Sequence, residues 1–105
     1  MKTVTVQELK AMRDNNEDFQ LIDVREEYEY EICNIEGLFL PLGDIPENID
    51  KINTDKKVII QCRSGARSAR AIEWLEQTQG LENLYNLTGG IMAWREEIDN
   101  SLATY

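Results

Sequence analysis

Val58-Ile59-Ile60-Gln61-Cys62-Arg63-Ser64-Gly65-Ala66-Arg67-Ser68 carries an uninterrupted apolar strand into a cysteine, a glycine-centred loop with two arginines, and the start of a helix. A strand feeding directly into a helix is the repeating unit of an α/β sheet. The helix is read from about Ser68 to Gln79, with Ala71, Ile72 and Leu75 on its buried face and Gly80 as a left-handed cap. Cys62 then lies at the carboxyl end of a central strand and the amino end of a helix. Unpaired backbone N–H groups and the positive helix pole meet there, and both favour thiolate over thiol. From Lys56 to Ile72 there are five basic residues and no acidic one, in a chain of 20 acids, 11 bases and formal net charge −9. A positive loop on an acidic protein attracts small anions and cationic partner patches and repels nucleic acid.

Outward from this stretch, strands and helices continue to alternate at short spacing, as in a largely parallel sheet. Lys2 to Val4 reads as a short edge strand, and Thr5-Val6-Gln7-Glu8 as a capping box opening a helix that buries Val6, Leu9 and Met12 and ends near Asn15. Phe19 to Val24 is a second strand. It is followed by a short helix around Glu26-Glu27-Tyr28-Glu29-Tyr30, then a third strand at Leu38-Phe39-Leu40 stopped by Pro41. Asp44 is read as the cap of a brief helix from Pro46 toward Ile52. Lys57 to Gln61 is the central strand and Leu84 to Leu87 the last. Gly89-Gly90 turns the chain into a final helix with Ile91, Trp94 and Ile98 on one face.

With 105 residues and 42% hydrophobic content, the chain is expected to form one domain over 1–105. It has neither an 18-residue apolar run nor a secretory leader, so it reads as soluble and cytoplasmic, without membrane contact. Its two cysteines, Cys33 and Cys62, make no disulfide framework. Without histidine or a Cys-x-x-Cys pair there is no zinc site and no Cys-His dyad, and no cofactor is implied. Activation of Cys62 falls to backbone dipoles and arginines.

Three motifs in order, Leu21-Ile22-Asp23-Val24-Arg25-Glu26, Cys62-Arg63-Ser64-Gly65-Ala66-Arg67-Ser68 and Leu87-Thr88-Gly89-Gly90-Ile91 followed by Trp94, resemble those of a rhodanese domain. The resemblance covers nearly the whole chain. It implies an α/β fold with a five-stranded parallel sheet and helices on both faces. It also implies a sulfurtransferase in which Cys62 takes sulfane sulfur from thiosulfate or a persulfide donor and passes it to a second nucleophile. Arg63, Ser64, Gly65, Ala66, Arg67 and Ser68 would bind the donor anion, with Arg63 and Arg67 on the sulfite portion, and Asp23 and Arg25 would support the loop from behind. Mercaptopyruvate is disfavoured by the basic loop. Trp94 to Tyr105 resembles the closing segment of rhodanese domains fused to activating enzymes of sulfur carriers, with Asn100 and Ala103 replacing the usual prolines. A small thiol or a sulfur-carrier protein is therefore the implied acceptor.

Other readings compete. A cysteine-loop phosphatase or arsenate reductase needs an arginine six positions after the cysteine, where this chain has Ser68, with Arg67 one residue early. A binding or regulatory module on the same scaffold commonly lacks the loop cysteine, which is present here. Cys62 read as core filler stands against the flanking glycine and arginines that a reactive thiol requires. Cys33 is core filler or a resolving thiol, the latter requiring proximity to Cys62. Glu26, Glu27, Glu29 and Glu31 read as a solvated helix face, Arg70 as an exposed charge, and Trp74 and Trp94 as packing against the sheet or its rim. Cys33-Asn34-Ile35 stands where many family members have Gly-His-Ile, a departure that touches local packing.

Overall fold

In the computed structural model, which describes all residues from Met1 to Tyr105, the apolar run forms β4 (Lys57–Gln61), the middle strand of a five-stranded parallel sheet. The other strands are β1 (Thr3–Val4), β2 (Phe19–Asp23), β3 (Leu38–Phe39) and β5 (Leu84–Leu87), in the order β1-β5-β4-β2-β3. Both sides of β4 are apolar because both faces of the sheet are covered. Val58 and Ile60 point with Ile22, Val24 and Leu84 toward Ala71, Ile72 and Leu75 of α3 (Ala66–Gln79). Ile59 points with Leu21 and Leu87 toward α1 (Val6–Asp14) and α4 (Gly90–Glu97), where Val6, Leu9, Ile91 and Trp94 complete a second core. One polar side chain interrupts this: Gln61 is fully buried and neither end of its amide has a hydrogen-bond partner, a cost of about 1–3 kcal/mol.

The register brings the two chemically loaded strand ends together. Asp23 of β2 is paired with Gln61 of β4, and the Val24 N–H donates to the Gln61 carbonyl at 3.1 Å, so Arg25 and Cys62 leave adjacent strands side by side. From this edge the chain departs in opposite directions. β2 leads through α2 (Glu27–Ile32) to β3 on one side, and β4 leads through α3 to β5 on the other. Such a divergence opens a crevice at the carboxyl ends of the strands.

Two elements differ from expectation. α3 starts at Ala66 rather than near Ser68, because Gly65 at φ 108° completes the turn in the left-handed region and serves as N-cap. Between β3 and β4 the helix begins earlier and winds tighter, as 3-10 turns over Leu42–Glu47 and Ile49–Lys51. Pro46 lies inside the first and has no N–H to donate to an α-helical ladder. Asp44 contributes its carbonyl, which accepts from Asn48 Nδ2 at 2.7 Å, rather than a capping side chain.

The glycine pair Gly89-Gly90 fixes the other side of the loop. Gly90 has φ 59°, and a Cβ there would lie 2.4 Å from the Cys62 carbonyl oxygen and 2.6 Å from that of Arg63. This close approach lets the N–H groups of Ile91 and Met92 cap those two carbonyls at 2.9 and 3.1 Å. Gly90→Ala should therefore destabilise the fold by about 3 kcal/mol or more, combining strain with a backbone collision. Urea unfolding measures this, and a cost below about 1 kcal/mol would show that the α4 junction yields easily.

Candidate active site

Cys62 is the first residue beyond β4 and is only 1% exposed. Burial alone also suits a core residue, so the atoms around the sulfur decide its character. The Gly65 N–H donates to Sγ at 3.1 Å and the Ser68 N–H at 3.4 Å, with the Ser68 hydroxyl also 3.4 Å away. Burial pushes the thiol up. Hydrogen bonds around the sulfur, the amides of Ser68, Gly65 and Ser64 among them, outweigh it, and the Cys62 pKa lies below its ordinary value. Main-chain groups thus replace the lost water, as expected of a strand-to-helix turn around an anion.

The loop residues have distinct surroundings. Ser64 and Ala66 are exposed, whereas Ser68 is fully buried. Arg63 donates from Nη2 to the main-chain oxygen of Tyr105 at 2.5 Å and lies 5.1 Å from the Tyr105 ring centre. Arg67 grips Glu29 with both terminal nitrogens, Nη1 to Oε1 at 2.6 Å and Nη2 to Oε2 at 2.9 Å. Glu29 is 2% exposed, which corrects its reading as part of a solvated face. The same carboxylate accepts the Glu26 N–H at 3.0 Å and the Tyr105 hydroxyl at 2.7 Å. Arg67, above all, holds the Glu29 carboxyl down at about 2, and Glu29 in turn raises Arg67.

Behind the loop, Asp23 and Arg25 are both fully buried and paired. Arg25 donates to Asp23 from Nε at 3.0 and 3.1 Å and from Nη2 at 2.8 Å. Its remaining donors reach the Cys33 carbonyl at 2.7 Å and the Tyr105 hydroxyl at 2.9 Å. Burial opposes the Arg25 charge, but the hydrogen bonds it donates to Asp23 and Tyr105 outweigh it and its pKa is raised. Burial likewise pushes the Tyr105 phenol up to about 12, so at neutral pH it donates to Glu29 while accepting from Arg25. Asp23, Arg25, Tyr105, Glu29 and Arg67 form one continuous chain of contacts from β2 to the loop.

Three of these participants escaped sequence reasoning. Glu29 lay in an acidic run whose members look alike, although its position three residues after Glu26, the N-cap of α2, was a readable signal. Tyr105 lies 76 residues from Glu29, and no local pattern pairs them. Asn86 of β5 sits under the loop, donating from Nδ2 to the Gly65 carbonyl at 3.1 Å. Cys33 packs in the core on the opposite side of the sheet from Cys62, and both are free thiols. It lines a cavity of about 80 Å³ together with Arg63, Ile91, Arg95 and the segment 102–105, and Cys62 is not part of that cavity.

The Glu29 pair has a pH signature. A carboxyl held near 2 when folded, against 4.5 ordinarily, contributes stability that is complete above its ordinary value and is lost as pH falls toward 2. Glu29→Gln should cost about 2 kcal/mol at neutral pH, and the gap from wild type should narrow as pH falls through 4.5 and close near pH 2. Urea unfolding across pH checks this, and a gap independent of pH would contradict it.

The model of the rhodanese-like domain matches residues 5–97. The putative sulfurtransferase YtwF of Bacillus subtilis is 36% identical over 92% of this chain and 93% of its own length. The probable adenylyltransferase/sulfurtransferase MoeZ of Mycobacterium tuberculosis is 31% identical over 98% of this chain. The chain spans only 27% of that protein, and 38% of a longer curated relative from Arabidopsis thaliana. The crystal structure of a rhodanese-like domain protein from Staphylococcus aureus superposes with a TM-score of 0.81 at 33% identity, covering 90% of this chain and 91% of that one. With the parallel sheet, the Cys62 loop and the Gly89-Gly90 turn all in family order, this chain belongs to the rhodanese-like domain family.

Proposed function

We propose that this chain is a sulfurtransferase that carries sulfane sulfur on Cys62. The observation that carries the reading is the pair of main-chain N–H groups, Gly65 and Ser68, converging on Cys62 Sγ. In the reaction, the Cys62 thiolate attacks the outer sulfur of thiosulfate. The new S–S bond forms as the bond to the sulfonate sulfur breaks, sulfite leaves with the electron pair, and Cys62 holds a persulfide anion. A thiophilic acceptor then attacks the terminal sulfur and releases the thiolate. No proton need move and no oxidant is consumed, which fits a site without histidine. Donors poised on a developing sulfur anion are worth about 3 kcal/mol each, by analogy with oxyanion holes.

The loop arginines divide the remaining work. Arg67 is compensated by the Glu29 carboxylate, so its role is to hold the loop. Arg63 has no side-chain acid on it, and its charge is the one that recognises the sulfonate of thiosulfate or an acidic donor. Relatives named as adenylyltransferase/sulfurtransferase and as a putative sulfur carrier protein support a sulfur-carrier acceptor, with a small thiol as the other acceptor the chemistry allows. No helix is long and apolar enough to cross a membrane, and action in the cytoplasm is part of the proposal.

Turnover of thiosulfate with cyanide, followed as thiocyanate, tests the reading. Cys62→Ser should abolish it. Arg63→Ala should raise KM for thiosulfate about tenfold with little change in kcat, the mark of lost ground-state binding. Arg67→Ala should instead reduce kcat/KM by similar factors for thiosulfate and for a small-thiol persulfide. A thiosulfate-selective loss with Arg67→Ala would reverse these roles, and activity surviving Cys62→Ser would end the proposal.

A further inference from the structure

The Ser68 hydroxyl has one proton and three acceptors within reach. Asn86 Oδ1 is nearest at 2.5 Å, the Gly65 carbonyl is at 3.1 Å, and Cys62 Sγ is at 3.4 Å. The orientation of the Asn86 amide follows from its other end, because Nδ2 faces the Gly65 carbonyl at 3.1 Å, and turning the amide over would set two oxygens against each other. Oδ1 therefore faces Ser68 as an acceptor with no proton of its own. For both oxygens to approach at 2.5 Å, the Ser68 proton must lie between them.

From this we infer that Asn86 is a positioning residue that holds the Ser68 hydroxyl proton away from the Cys62 sulfur. The relay then runs in one direction. The Cys62 thiol donates to Ser68 Oγ, Ser68 donates to Asn86 Oδ1, and Asn86 Nδ2 donates to the carbonyl of Gly65, whose own N–H donates to Sγ. When Cys62 ionises, the hydroxyl can turn to the sulfur only by leaving Oδ1 facing a bare oxygen lone pair. Asn86 thus opposes the part of thiolate stabilisation that Ser68 would otherwise supply, while the two amides keep theirs. The sulfur is left more basic than its donors alone would make it. A more basic thiolate is the stronger nucleophile, and a smaller thiolate fraction at rest is less open to oxidation.

The charged groups around the sulfur are Arg67 of α3, neutralised by Glu29 of α2, and Arg63, held by Tyr105 from the chain's last segment. Behind them, Arg25 is paired with Asp23 of β2. None is touched by changes at Asn86 or Ser68, so they drop out of the comparison.

The experiment is an NMR titration of Cys62 in cysteine-Cβ-labelled protein, with Cys62→Ser assigning the resonance. It rests on Cys62 being the reactive sulfur for its importance, but it reads ionisation rather than transfer, so failure of the sulfurtransferase reading leaves it interpretable. Asn86→Ala should lower the titration midpoint by about one pH unit, since the freed hydroxyl turns to the thiolate. If Asn86 merely braced the loop, the amide donors would loosen and the midpoint would rise or stay, which overturns the inference. Ser68→Ala in the presence of Asn86 should leave the midpoint within about 0.3 of wild type, and should erase the effect of adding Asn86→Ala. A rise of about one unit with Ser68→Ala would mean that the hydroxyl already serves the sulfur, and overturns the inference even if Asn86→Ala does not fold.

Discussion

A sulfur atom that must be both buried and ionisable is the constraint around which this chain is arranged. Water cannot solvate Cys62 at 1% exposure, so a negative charge there survives only if fixed dipoles take the place of water. The handover from β4 to α3 supplies them at little entropic cost, because helix formation already aims the first-turn N–H groups at the space the sulfur occupies. Gly65 closes the turn and α4 caps the carbonyls of Cys62 and Arg63 from the far side. The geometry is therefore held from two helices at once.

A second layer keeps the loop in register with the sheet. Asp23 and Arg25 are a fully buried ion pair, an arrangement that gains little net stability against an apolar alternative but is costly to break from one side. Its value here is directional. Arg25 spends its remaining donors on Cys33 and Tyr105, Tyr105 passes the connection to Glu29, and Glu29 binds Arg67 of the loop. The result is a polar strut between a strand end and the Cys62 loop, with each charge matched by a hydrogen-bonded partner.

Much of this was legible in the chain itself. The apolar run before Cys62, the capping box at Thr5 to Glu8 and the last strand at Leu84 to Leu87 depend on local chemistry, and the structure places them where that chemistry puts them. Three motifs resembling those of the family carried the five-stranded parallel sheet and the cysteine. The start of α3 was misjudged because glycine can either extend a loop or cap a helix, and only its φ distinguishes the two. The long-range pairings of Glu29, Tyr105 and Asn86 were not legible for a different reason. Each partner is brought near by the fold, at separations of 18 to 80 residues, and periodicity records only which face a residue takes.

Whether Cys62 accepts sulfur is the point on which the account stands. Intact-protein mass spectrometry after incubation with thiosulfate, with peptide mapping and a Cys62→Ser control, measures it directly. The account expects one added sulfur, located on the peptide containing Cys62 and absent from that containing Cys33, and removed by cyanide. A folded, reduced protein that gains no sulfur from thiosulfate or from a persulfide donor, or gains it on Cys33, would contradict it.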